Sequence, residues 1–355
     1  MKKVSSLKIA AVYIGTVVGA GFATGQEVLQ FFSSFGIGGL WGIILVTLLF
    51  ILYGYIIIEL GLRLSAKSHL EILKASCGKV IAPIMDIIIT FFLFGAVTAM
   101  LAGTGALFHQ EFGIPIFIGC LIMAILSAIT VLTGIKGVFN SISFVAPFLL
   151  ISVIGISIYA LIHHPLVINQ TIHTNSNPLL SNWLVSALLY VSYNIILSIA
   201  ILGPLGAQAK SKKTVRIGAS LGGLGLGVSS LMIYFAITAY LPSVKDLEVP
   251  LAFIAESISP ILKILFSIIL IAEVFTTTVG ALFGFASRIA ENFKDSASRK
   301  WKTTVIITVI IAFFASLFGF SNLVKYLYPI IGYVGLLLLI LLLISKIRTQ
   351  KKRMP

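Results

Sequence analysis

Apolar positions along this chain come in long runs, separated by short polar stretches that hold most of the Lys and Arg. Neither the alternation of a half-buried strand nor the one-sided stripe of a surface helix fits such runs. A hydrocarbon core of about 30 Å takes about 20 helical residues to cross. Ten runs approach or exceed that length, at 8–33, 38–62, 81–108, 115–135, 138–162, 181–207, 214–240, 259–287, 302–319 and 322–345. Lipid offers no partner for an open strand edge, so each run is predicted to be helical. The fold class is therefore all-α integral membrane, with about ten transmembrane helices.

The basic residues test that count independently. With residues 1–8 inside, every second loop should carry the Lys and Arg. Of the 25 Lys and Arg, all but Lys245, Lys263 and Lys325 fall on the inside. One span missed or invented would destroy the bias. The expectation is a multi-pass cell-membrane protein with both termini cytoplasmic. Residues 1–8 lead into the first run without a small-residue cleavage site, so that run reads as a retained helix.

Composition agrees. The chain is 59% hydrophobic and 10% charged, with a mean hydropathy of +1.11, against about 25% charged residues in soluble domains. A net charge of +14 does not imply a nucleic-acid partner, because the positive residues form short loop clusters and no continuous basic face. Lipid and a small solute are the expected partners. Cys77 and Cys120 lie in different segments without metal-ligand spacing and read as unpaired thiols. Enzyme signatures are absent: no zinc-type HExxH, no Gly-x-Ser-x-Gly elbow, no histidine central in a run. The glycine-rich stretch 221–228 lacks a Walker lysine and reads as a packing surface. No cofactor is expected beyond a coupling ion, Na+ or H+.

Ten spans with both ends inside divide into five and five. An odd unit enters the membrane from opposite sides in its two copies, which is the arrangement of inverted-repeat transporters. The expected halves are residues 1–163 and 181–346, followed by a basic cytoplasmic tail at 347–355. The longest outside loops are 163–180 and 241–258. Within the second, 249–257 is predicted to form a short amphipathic helix.

Three runs carry chemistry. The first holds Gly15, Gly19, Gly21 and Gly25, then Gln26 and Glu27. Each glycine costs a helix about 1 kcal/mol relative to Ala. Two readings follow: small residues for close helix packing, or a helix broken at membrane depth, whose freed carbonyls hold a cation. The polar tail from Thr24 to Glu27 favours the break. In the sixth run Tyr190, Ser192, Tyr193 and Asn194 offer hydroxyls and an amide at mid-depth, and Gly203-Pro204 follows. An inverted repeat calls for a second break there. Interhelical hydrogen bonding is the plainer reading. In the eighth run Glu273 lies about 20 Å along the helix, near the midplane, followed by Thr276, Thr277 and Thr278. An ionisable group at that depth is a functional candidate by default, and neighbouring hydroxyls suit a hard cation, although threonines also back-bond to their own helix. Among the other acids, Glu59 is four residues before Arg63 and reads as a local pair. Asp86 reads as a gate residue or an interfacial anchor.

The stretch Ala11-Val12-Tyr13-Ile14-Gly15-Thr16-Val17-Val18-Gly19-Ala20-Gly21-Phe22-Ala23-Thr24-Gly25-Gln26-Glu27 resembles the YkvI-like family of bacterial membrane proteins. That family is similar to the amino acid–polyamine–organocation superfamily, with its LeuT-type five-plus-five inverted repeat and broken first and sixth helices. The resemblance implies a sodium site formed by the Gly15, Val18 and Glu273 carbonyls and the Thr276 and Thr277 hydroxyls. It implies a substrate site at Gly19, Ala20, Gly21, Phe22, Thr24 and Gly25, with Tyr190, Ser192 and Asn194. Two departures matter: Glu273 is unusual beside such a site and offers a proton in place of the ion, and Phe22 stands where an Asn helps build a second sodium site in some relatives. The expected function is ion-coupled secondary transport of a small solute, an amino acid or related zwitterion, by alternating access. An uncoupled exporter or channel of the same fold, and a membrane receptor or scaffold, are the competing readings.

Overall fold

The computed structural model describes residues 3–164, 179–241, 243–245, 247, 249–290, 298–317 and 328–351. The first run is three short helices, α1 (Ser6–Val17), α2 (Ala20–Thr24) and α3 (Gln26–Phe31), followed by a 3₁₀ turn at Ser33–Phe35. Then come α4 (Ile37–Leu64), α5 (His69–Phe112), α6 (Ile116–Leu132), α7 (Ile135–His163), α8 (Trp183–Ala207) and α9 (Lys212–Ala239). The chain continues through α10 (Pro250–Ile258), α11 (Pro260–Ala290), α12 (Arg299–Ser316) and α13 (Tyr328–Lys351). The predicted amphipathic helix at 249–257 is α10. Most of the loop at 163–180, the junction of the last two runs and the end of the basic tail lie outside the described residues.

Polar side chains set the helix starts. Asn182 accepts from the Leu184 and Val185 amides at 3.0 Å. Ser68 and Glu71 form a reciprocal capping box before α5, worth about 1 kcal/mol. Gly78, with φ 74°, turns the chain between a short first segment of α5 and its long apolar remainder.

Seven helices are long and apolar enough to cross a membrane: α4, α5, α7, α8, α9, α11 and α13. The broken first run, α6 and α12 complete the ten predicted spans. Their outer faces are greasy, with Leu48, Ile87, Phe91, Ile129, Ile151, Ile268, Ile310 and Phe314 exposed. So broad an apolar exterior is stable only against lipid. The interior runs through α1 and α8, where α8 packs against α4 and α13 and α1 packs against α9 and α7.

The expected break in the sixth run does not occur. Helix α8 is continuous from Trp183 to Ala207, through Gly203 and Pro204. Asn194 bonds within the helix, to the Tyr190 carbonyl at 2.9 Å, whereas Ser186 and Tyr193 bond to α3, at the Phe31 carbonyl and Glu27, which is the interhelical hydrogen bonding of the plainer reading. Its glycines serve close packing. A Cβ at Gly206 would sit 2.1 Å from the Ile58 carbonyl, and a Cβ at Gly61 2.1 Å from the Gly203 carbonyl. The 221–228 stretch does the same for α9, where Gly222 meets Tyr13, Gly223 meets Ile51 and Gly227 meets Thr47. Both cysteines are free.

Glu59 is not the local partner of Arg63. It is buried and meets Lys212 of α9 at 3.0 Å and Lys346 of α13, while Arg63 is exposed. Asp86 meets the Arg288 guanidinium side on, Oδ1 accepting from Nε at 2.7 Å and Oδ2 lying 2.7 Å from Nη2, and Oδ1 lies 3.0 Å from His69 Nε2. These ion pairs tie α4 to α9 and α13, and α5 to α11.

Candidate functional site at the break in the first helix

Helix α1 ends at Val17. Val18 (φ −68°, ψ 123°) and Gly19 (φ −125°, ψ −172°) are extended, so two residues interrupt the helix before α2 begins at Ala20. Gly25, at φ 85°, takes the left-handed conformation that ends α2 and starts α3. That conformation favours glycine because it carries no Cβ. The two readings of the glycines divide between them. Gly15 serves packing, since a Cβ there would meet Ile142 of α7 at 2.8 Å. Gly19 and Gly25 serve the break.

The break leaves carbonyls without helical partners, and α11 supplies them. Thr277 Oγ1 donates to the Val18 carbonyl at 2.8 Å. Thr276 Oγ1 lies 3.5 Å from the Gly15 carbonyl, 3.0 Å from the Glu273 carbonyl and 3.3 Å from Glu273 Oε1. Glu273 is fully buried and its Oε2 has no hydrogen-bond partner. Thr278 differs: its hydroxyl back-bonds to Val274 at 2.7 Å and takes no part. The result is a set of oxygen atoms only, from Gly15, Val18, Glu273, Thr276 and Thr277. Hard cations are held by such sets. A buried carboxylate there needs a counter-charge, from a cation or a bound proton. Among the described residues no group of three or more His, Cys, Asp or Glu could hold a metal.

The expected substrate residues are only partly assembled. Gly19 stands against Thr277, where a Cβ would be 3.7 Å from the side chain. Phe22 is buried, Thr24 donates to the Gly21 carbonyl at 3.1 Å, and Ala20 opens α2. Gly25 packs against Leu251 of α10 and Ile237 of α9. Tyr190 is buried with its hydroxyl unpartnered. Ser192 turns away, donating to the Gly332 carbonyl of α13 at 2.6 Å. Asn194 is spent on the Tyr190 carbonyl.

Two residues noted in the sequence but given no place in the expected site come together. Glu27, in the first turn of α3, is buried and accepts from the Tyr193 hydroxyl at 2.6 Å through Oε2. A Cβ on Gly21 would meet its Oε1 at 2.5 Å. The signal for Tyr193 was helical phase: it follows Tyr190 by three and shares its face, whereas Ser192 does not.

No family model matches the chain. The membrane protein YkvI of Bacillus subtilis (strain 168) is 33% identical over 351 residues, covering 97% of each chain. The protein YyaD of the same organism is 30% identical over 354 residues, covering 98% of this chain and 99% of its own. Among solved structures, a Na+-coupled sialic acid symporter in a substrate-bound outward-open state matches with a TM-score of 0.71 and 15% identity, over 94% of this chain and 78% of that one. MhsT in complex with L-phenylalanine matches at 0.67 and 18%, over 95% and 88%. Mhp1, a nucleobase-cation-symport-1 family transporter closed around bromovinylhydantoin, matches at 0.60 and 13%, over 93% and 75%. The fold is the LeuT type.

Proposed function

The chain belongs to the family of the membrane protein YkvI, and on that footing we propose that it is an ion-coupled secondary transporter of a small solute. One observation carries the reading. A helix broken at membrane depth presents the Gly15 and Val18 carbonyls to the Thr276 and Thr277 hydroxyls, beside a buried Glu273. Irregular backbone at that depth is tolerated where it serves a site. The neighbours described as Na+-coupled or cation symporters support the reading through their shared fold.

In this proposal the ion sits among Gly15, Val18, Glu273, Thr276 and Thr277, with Na+ as the favoured occupant of an all-oxygen set. The solute is an amino acid or related zwitterion, held at 19–25 against the face of α8 that carries Tyr190. Alternating access rocks one repeat against the other. Paired contacts support the two halves, 1–163 and 181–346: α1 packs on α9 as α8 packs on α4, and α1 packs on α7 as α8 packs on α13. The bias of basic residues supports cytoplasmic termini in a bacterial cell membrane. Membership of the amino acid–polyamine–organocation superfamily belongs to the same proposal.

The test is solute uptake by the protein in liposomes, with radiolabelled amino acids and an imposed inward Na+ gradient. Uphill accumulation that ends when Na+ is replaced by K+ supports coupling. Uptake indifferent to any ion gradient indicates a channel or exporter. No uptake, together with unimpaired folding when Gly19 is enlarged, indicates a receptor or scaffold.

A further inference from the structure

Seven acidic side chains fall in the described residues, and five have an evident partner. Glu59, Asp86, Glu111 and Glu256 meet basic groups, and Glu71 caps α5. Glu273 belongs to the proposed ion site. Glu27 is left. It is 5% exposed, and no ion pair reaches it among the described residues.

Its surroundings are specific. Tyr193 donates to Oε2 at 2.6 Å. The Tyr190 hydroxyl, fully buried, faces the same carboxylate. Phe31, Tyr190 and Tyr193 stand around it, with ring centroids 5.4, 5.7 and 5.5 Å apart in pairs. Gly21 gives Oε1 its room, since any side chain there would collide with the carboxylate. Two residues earlier, a Cβ on Gly19 would lie 3.7 Å from Thr277 of the proposed ion site. One turn of broken helix thus runs between the two carboxyl-bearing clusters.

We infer that Glu27, framed by Tyr190, Tyr193 and Phe31, is the recognition site for a cationic ammonium group on the transported solute. This rests on the transporter reading above and narrows its substrate class. A carboxylate buried this deeply needs a cation or a bound proton to meet it, and aromatic faces favour an ammonium as that cation. An ammonium satisfies both, donating to Oε1 and to the Tyr190 oxygen while Tyr193 holds Oε2 in place. A hydroxyl in its position leaves the charge unmet, and discrimination against such an analogue is steep where a buried polar group loses its partner.

The test compares matched probes on the purified full-length protein, read as thermal stabilisation in Na+. One set carries ammonium groups: the twenty amino acids, ethanolamine, choline and putrescine. The other replaces the ammonium with hydroxyl: the corresponding 2-hydroxy acids, ethylene glycol and butanediol. At least one ammonium compound should raise Tm and its hydroxyl counterpart should not. Glu27→Gln should weaken that ligand about tenfold or more and keep the Tm response to Na+ alone. Equal stabilisation by the hydroxyl set, stabilisation by no ammonium compound, or full ligand response in Glu27→Gln each overturns the inference. If Glu27→Gln folds poorly, Tyr193→Phe, which removes the donor to Oε2, is the second variant, and a full ligand response in it overturns the inference as well. Loss of the Na+ response in the wild type counts against the transporter reading, whereas a normal Na+ response with no ammonium preference counts against this inference alone.

Discussion

The Thr277 hydroxyl donates to the Val18 carbonyl at 2.8 Å, joining positions 259 residues apart in the chain. It joins the point where the first helix breaks to the middle of α11. Without the break the Val18 carbonyl would be consumed within its own helix, and without Thr277 it would be a buried acceptor with no donor. In the proposed ion site the same two oxygens hold the cation once the hydroxyl proton turns away.

Thr277→Ala removes that donor. Stability should fall by about 1 kcal/mol, the usual net worth of such a bond, and Na+ should lose about tenfold or more in affinity. Thr278→Ala is the control, because Thr278 bonds only to Val274 of its own helix and should leave Na+ binding unchanged. Thermal unfolding across a Na+ titration measures both.

Glu273 gives a pH signature. Its carboxylate lies beside Thr276, and a proton bound there competes with a cation for the same oxygens. Apparent Na+ affinity should therefore weaken as pH falls and recover as pH rises. In Glu273→Gln it should be lower throughout and flat with pH. Na+ titrations at several pH values check the slope, and a wild type without one would remove Glu273 from the site.

Gly21 is expected to resist enlargement. Gly21→Ala places a methyl 2.5 Å from Glu27 Oε1 and should cost about 1–3 kcal/mol through overpacking. Gly155→Ala, with no atom within 4 Å of its new methyl, should be neutral or stabilising by about 1 kcal/mol. Melting temperatures of the two variants decide the contrast.

Asp86 and Arg288 should behave as a unit. Asp86→Ala leaves the guanidinium without its two bonds of 2.7 Å and His69 without its neighbour, at a cost of about 3 kcal/mol. Adding Arg288→Gln should cost much less than it does alone. A double-mutant cycle on unfolding free energies reads the coupling, and additive losses would show the pair to be idle.

Much of the fold was legible because lipid imposes a simple rule on the chain. Long apolar runs are a local property, and they located the helices. The break in the first run was legible for a similar reason: Gly19 and Gly25 weaken a helix wherever they stand. Adjacent hydroxyls at Thr276 and Thr277 marked the residues that meet the Gly15 and Val18 carbonyls. The continuous sixth helix was not legible, because the polar cluster from Tyr190 to Asn194 breaks a helix only where packing leaves it without partners, and here Ser192 and Asn194 find the Gly332 and Tyr190 carbonyls. Glu59 shows the same limit, since Lys212 and Lys346 are brought to it by packing. Glu27 and Tyr193, 166 positions apart, leave no local trace of their hydrogen bond.

The most direct measurement is equilibrium binding of radiolabelled sodium to the purified protein and to Thr277→Ala. One Na+ bound per wild-type chain, with affinity reduced about tenfold or more in Thr277→Ala and preserved in Thr278→Ala, is the result that follows from a cation site between the broken first helix and α11. Absence of Na+ binding by the wild type, or equal binding by Thr277→Ala, would contradict it.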